Sequence, residues 1–177
     1  HILTYTADHR LRLEATKAIG SADPCYVACH NGMVATASYS GGEAYLWADG
    51  IATDTVRSNA SHADATGRQD AGHMHCSAFT PDGKAVAAVD FSGDRIVMMP
   101  THGGSITQIQ LPPASGPRHV IYNSKGTRAY AVTELSGCVH VMDYDPQTFA
   151  LTMKQTVVAD SVQAHGSADI HLSPDER

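Results

Sequence analysis

The chain has 177 residues, 42% of them hydrophobic, and a formal charge of −6. That composition suits a globular domain with its own core; acids and bases are mixed along the chain without a basic stripe, which excludes nucleic acid as a partner. No apolar run is long enough to span a membrane, and the first residues carry Asp8, His9, Arg10 and Arg12 where an export signal would be apolar, so no membrane partner is expected and the expected compartment is the cytoplasm. The four cysteines, Cys25, Cys29, Cys76 and Cys138, lack paired CxxC spacing and sit in apolar contexts, the pattern of buried free thiols in a reducing compartment.

In chain order, residues 2–19 alternate apolar and polar on both sides of Asp8-His9-Arg10 and predict two strands. Residues 24–47 then read strand, turn, strand, turn, strand: CYVA, HNG, MVATASY, SGG, EAYLW. The pattern returns as HCSAF, TPDG, KAVAAVDF, SGD, RIVMM, and again as RHVIY, NSKG, TRAYAVTEL, SGC, VHVM, with a further strand at 149–158. Ser38-Tyr39-Ser40-Gly41, Asp90-Phe91-Ser92-Gly93 and Glu134-Leu135-Ser136-Gly137 recur 52 and 44 residues apart, and the turn glycines Gly32, Gly83 and Gly126 recur 51 and 43 apart. A period in the forties made of strands alone is the signature of four-stranded propeller blades. The chain therefore reads as an all-β propeller of four-stranded antiparallel blades. Its expected full blades are 24–66, 73–112 and 117–158, with partial blades at 1–19 and 167–177. The start at His1 and the stop after Ser-Pro-Asp-Glu read as a fragment of a single, incomplete propeller domain.

Charged residues inside apolar strands are the candidates for function, above all Pro117-Arg118-His119 in one strand and Glu134 at the end of the next. First strands line the central channel of a propeller, which directs His73, His75, Arg118, Asp169 and His171 toward one cavity and sets Ser38, Asp90 and Glu134 at matching places in successive blades. His73 and His75, at i and i+2, share a strand face. A third metal ligand is not visible beside them, so neither a metal nor a cofactor is expected. Histidine can take a proton from water, arginine can hold an anion in two bonds, and glutamate can orient either, a combination suited to opening or closing an anionic lactone. Against this stand plainer readings: Arg118 and Glu134 as a structural ion pair, Asp90 as a turn residue, Trp47 as packing, and His30, His102, His140 and His165 as ordinary core or surface residues.

PCYVA at Pro24, YSGG at Tyr39, GRQ followed by HMH between Gly67 and His75, FTPDGK at Phe79, GPRH at Gly116, TEL at Thr133 and SADIHLSPD at Ser167 occur in an order that resembles the lactonase family of seven-bladed propellers. That family includes the propeller-type 6-phosphogluconolactonases and the carboxy-cis,cis-muconate lactonizing enzymes. The resemblance implies a channel-mouth site with His75, Arg118 and Glu134 as catalytic residues and a second arginine beyond Arg177. It places Arg68, Gln69 and His73 on a substrate-binding loop, and His119, Asp169 and His171 join them as substrate-binding candidates. The implied mechanism has His75 activating water, Glu134 positioning that imidazole and Arg118 holding the carbonyl oxygen or the anionic group. The expected partner is a small anionic lactone and the expected reaction is hydrolysis of 6-phosphogluconolactone to 6-phosphogluconate in the pentose phosphate route. A cycloisomerase acting on carboxymuconate and a non-catalytic binding propeller are the alternatives. Two departures from the family pattern are Glu176, where a turn glycine is expected, and Ser38, where asparagine is usual.

Overall fold

A computed structural model of the chain describes residues 1–162 and 165–176. Strands β1 (Ile2–Tyr5) and β2 (Leu11–Ala15) form an antiparallel hairpin. The first four-stranded sheet is built from β3 (Pro24–His30), β4 (Met33–Ser38), β5 (Glu43–Ala48) and β6 (Ile51–Arg57). The second holds β7 (Met74–Phe79), β8 (Ala85–Asp90), β9 (Arg95–Pro100) and β10 (Thr107–Gln110), and the third β11 (Pro117–Tyr122), β12 (Arg128–Thr133), β13 (Cys138–Asp145) and β14 (Ala150–Val158). In each sheet sequence neighbours pair antiparallel in order, the meander of a propeller blade. The first strands β3, β7 and β11 lie next to one another, so they form the inner ends of three adjacent blades. Among the described residues no helix is long and apolar enough to cross a membrane. All four cysteines are free, but only Cys76 is buried as expected: Cys25 and Cys29 lie on the exposed first strand of the first sheet, and Cys138 is half-buried.

Strand periodicity explains how the middle sheet serves two cores. Successive side chains point to opposite faces, so on β8 Ala85, Ala87 and Val89 join Ile96, Met98, Val120, Ala131 and Met142 on one side, while Val86 and Ala88 join Val97, Met99, Ala35, Ala37 and Leu46 on the other. Every residue of β8 is buried. Alanine dominates these layers, and its small side chain lets broad faces approach closely without voids.

Each first strand carries a β-bulge at the same place. Cys25 is left unpaired between the Pro24↔Ser38 and Tyr26↔Ala37 pairs, His75 between Met74↔Asp90 and Cys76↔Val89, and Arg118 between Pro117↔Thr133 and His119↔Val132. A bulge breaks the in–out alternation and re-aims one side chain. Hydrogen bonding also corrects the repeat register expected from the Ser-Gly phrases. Tyr39 N–H donates to Asp23 O, Phe91 N–H to His73 O and Glu134 N–H to Gly116 O, so Glu134 is the counterpart of Tyr39 and Phe91, not of Ser38 and Asp90. The left-handed turn residue is Gly42, Asp94 and Gly137 in the three blades (φ 64°, 52° and 63°). The Ser-Gly pair precedes that residue by one place in the first two blades and ends on it in the third, which is why matching the phrases shifts the last blade by one.

The strand expected to open a further blade within 167–177 is absent: residues 167–176 carry no strand, and no described strand offers them a ladder. Side chains tether the segment instead. Arg118 Nη1 donates to Ala168 O, and Ser124 N–H donates to Glu176 Oε1 at 2.7 Å. Glu176 adopts φ 54°, so the turn keeps the left-handed conformation that the expected glycine would supply.

Candidate active site

The inner ends of the three sheets enclose an open cavity of about 460 Å³ lined by Cys25, His75 and Arg118 from the bulges, Tyr39 and Glu134 from the ends of β4 and β12, and Arg68 and His119. The bulges turn Cys25, His75 and Arg118, one per blade, toward a common space. Gly116 sets the approach of Pro117-Arg118: it has φ 57°, and a Cβ there would lie 2.6 Å from Leu135 Cγ.

Glu134 sits between two guanidinium groups. Arg68 Nη2 donates to its Oε1 at 2.6 Å, and Arg118 Nε lies 3.0 Å from its Oε2 without hydrogen-bond alignment. Arg68 also covers the buried Phe91 ring, 5.3 Å from its centroid, and donates to His165 O. Two permanent cations against one carboxylate leave this part of the cavity with a net positive charge, suited to an anion that engages the guanidinium faces Glu134 does not occupy. The family resemblance implies a second arginine beyond Arg177; the structure brings Arg68 to the carboxylate next to Arg118.

His75 is buried against Tyr39 (ring centroids 5.7 Å apart) and His119 (5.4 Å), and its Nδ1 has no hydrogen-bond partner among the described residues. Burial, with Arg118 and His119 close by, pulls its pKa down to about 4, so the ring is neutral across the physiological range. Glu134 accepts no hydrogen bond from His75, because both oxygens of that carboxylate face arginines. His119 has the opposite surroundings. Its Nδ1 lies 2.7 Å from Asp169 Oδ1, and its ring meets the edge of Tyr26. Asp169 also accepts from Ile170 N–H and from His171 Nε2 at 2.9 Å each, and these bonds, led by that from His119, hold its carboxyl well below the usual carboxylate range.

Not every candidate reaches the cavity. Gln69 is fully buried and does not line it: Nε2 donates to Phe91 O and Asp94 Oδ1, and Oε1 accepts from Ser61 Oγ, so its amide is used inside the fold. His73 stacks on Tyr39 (4.0 Å, 3°) and bonds to Tyr39 O; it shares that ring with His75, but only His75 lines the space. His171 is exposed and reaches the site only through Asp169. Asp90 is the last residue of β8, and its buried carboxylate accepts from Arg95 Nε and Gly93 N–H. Sequence reading missed Cys25 and Tyr39. For Cys25 a signal was present in the aligned first strands, where Pro24-Cys25, Met74-His75 and Pro117-Arg118 coincide; Tyr39 had none. Cys25 is exposed as a residue, but its Sγ donates toward the Ala37, Met74 and His75 carbonyls, and desolvation there pushes the thiol up from its ordinary pKa. Among the described residues no three His, Cys, Asp or Glu side chains converge to hold a metal ion.

The sequence profile of the family described as lactonase, seven-bladed β-propeller, matches residues 1–177. The chain belongs to this lactonase family. Its relatives include a 6-phosphogluconolactonase of Bacillus subtilis, 31% identical over 175 residues that make up 90% of this chain and 49% of that protein. A solved structure from Bacteroides uniformis, described as a candidate 6-phosphogluconolactonase, superposes with a TM-score of 0.88 at 40% identity and covers 98% of this chain and 54% of that one. A periplasmic gluconolactonase of Pseudomonas aeruginosa superposes with a TM-score of 0.71 at 30% identity, covering 88% of this chain and 49% of that one. The chain thus spans about half the length of these relatives.

Proposed function

We propose that the protein hydrolyses a sugar-acid lactone, with 6-phosphogluconolactone as substrate and 6-phosphogluconate as product. The observation that carries this reading is the pairing of Arg68 and Arg118 on Glu134 at a cavity also walled by two imidazoles. Glu134 fixes both guanidiniums in place, so their remaining N–H groups are set before substrate arrives. In this reading Arg118 faces the carbonyl oxygen as negative charge develops on it, Arg68 holds the phosphate, and an imidazole takes the proton of the attacking water. His75, neutral and buried, offers a hydrogen bond without adding charge, as a neutral imidazole does at a reacting carbonyl. The names of the Bacillus and Bacteroides relatives support the phosphorylated substrate. Four free thiols fit a reducing compartment, and we place the activity in the cytoplasm.

The test is steady-state hydrolysis of 6-phosphogluconolactone by the full-length protein, with spontaneous ring opening subtracted, beside Arg68→Met and Arg118→Met. Arg118→Met is expected to lose about 10²–10³ in kcat/KM, the range for removing a donor to a developing oxyanion. Arg68→Met is expected to raise KM more than it lowers kcat. Unchanged kinetics in both variants would remove the arginines from the site and this reading with them.

A further inference from the structure

Within the proposed lactone hydrolysis, two imidazoles border the cavity, and their settings assign them different work. His75 has a buried Nδ1 without a partner among the described residues and no carboxylate on its ring, so a proton arriving there would meet Arg118 and His119 with only Glu134, whose oxygens already face two arginines, to offset them. His119 has Asp169 on Nδ1 at 2.7 Å. A carboxylate on one ring nitrogen keeps the hydrogen there, leaves the other nitrogen as the acceptor, and stabilises the imidazolium once it forms. The ring is also clamped between the Tyr26 and His75 rings, at 5.6 and 5.4 Å. Asp169 is fixed in turn by Ile170 N–H and by the His171 ring, and its segment is fastened to β11 through the bond from Arg118 to Ala168 O.

We propose that His119 is the general base of this site and that Asp169 is its positioning residue. The assignment rests on the hydrolase reading above and adds to it the identity of the group that moves the proton. Nε2 of His119 takes a proton from water as the water oxygen bonds to the lactone carbonyl carbon, and the carbonyl electron pair moves to oxygen beside Arg118. Collapse of the tetrahedral intermediate restores the carbonyl and breaks the bond from that carbon to the ring oxygen. The departing alkoxide recovers the proton from His119, which returns the base to its starting state and gives the open acid. The strand run Arg118-His119 thereby carries an anion holder and a base on consecutive residues. The bulge makes this possible, because it frees two neighbours from pointing to opposite faces.

The experiment measures kcat and KM for 6-phosphogluconolactone in the full-length protein, in His119→Ala, His119→Gln, His75→Ala, Asp169→Asn and Asp169→Glu, each with and without added imidazole. Both His119 variants are expected to lose about 10²–10⁴ in kcat with little change in KM. Added imidazole should restore part of the rate to His119→Ala and none to His75→Ala. Asp169→Asn should lower kcat, and Asp169→Glu should recover part of it. If the wild-type protein turns over and both His119 variants keep its kcat, or if imidazole rescues His75→Ala instead, the base assignment is wrong while the hydrolase reading stands. If the wild-type protein itself does not exceed spontaneous ring opening, the hydrolase reading fails and the base assignment goes with it.

Discussion

Acid should destabilise this fold through His75 in a defined window. In the unfolded chain the imidazole titrates at its ordinary value of 6.5, and in the folded chain, with the residue 9% exposed, at about 4. Between those values the unfolded chain binds a proton that the folded chain refuses, so stability rises with pH across the window. The contribution is fully present above pH 6.5 and is lost as pH falls to 4. A separation of about 2.5 pH units corresponds to about 3 kcal/mol, of which about 2.5 kcal/mol is lost by pH 4.5. His75→Gln keeps a polar side chain and removes the titration. Urea unfolding of the full-length protein and of this variant at pH 7.5 and 4.5 isolates the term, because the carboxylates and His140 titrate in both. The wild type should lose about 2.5 kcal/mol more than the variant between the two conditions. Equal losses would refute the desolvation of this imidazole as the cause.

Two substitutions test how the backbone sets the site. Gly116→Ala places a Cβ 2.6 Å from Leu135 Cγ and 2.9 Å from Phe91 Cε2 at φ 57°; a left-handed residue with a side chain costs about 1–2 kcal/mol before the clash is counted. A lowered Tm together with a reduced kcat/KM is expected, since Pro117 and Arg118 follow directly, and an unchanged Tm would contradict it. The Asp94 carboxylate accepts five hydrogen bonds inside the fold, from Gln69 Nε2, Ser115 Oγ, Gly116 N–H, Ser61 Oγ and Ala114 N–H. Asp94→Asn replaces one acceptor oxygen by a donor that faces other donors, so a loss of about 3 kcal/mol in urea unfolding is expected, and an unshifted midpoint would count against the network.

The repeat was legible because strand alternation and turn glycines are local. Gly32, Gly83 and Gly126 kept their spacing through all three sheets, and the two faces of β8 can be read from its sequence. Arg118 and Glu134 stood out because charge is rare inside apolar strands. What the sequence hid came from geometry between blades. A bulge adds a residue without any fixed residue type, so Cys25 looked like an ordinary strand thiol although it takes the same place as His75 and Arg118. Tyr39 passed for part of a turn phrase until hydrogen bonding equated it with Glu134. Gln69 and Arg68 are adjacent in the loop before β7, yet one amide is used up in the network around Asp94 while the neighbouring guanidinium reaches a carboxylate 66 residues away. Pairings over that separation depend on how the sheets pack, which periodicity does not report.

Binding of a phosphorylated lactone for hydrolysis in a positively charged cavity is measured by kcat/KM of the full-length protein for 6-phosphogluconolactone against the unphosphorylated gluconolactone, with spontaneous opening of each subtracted. One charge-assisted contact from the arginine pair to phosphate is worth about 1.5–3 kcal/mol, so the phosphorylated lactone should be preferred by about tenfold or more. No turnover of either lactone above the spontaneous rate, or equal efficiency on both, would contradict the account.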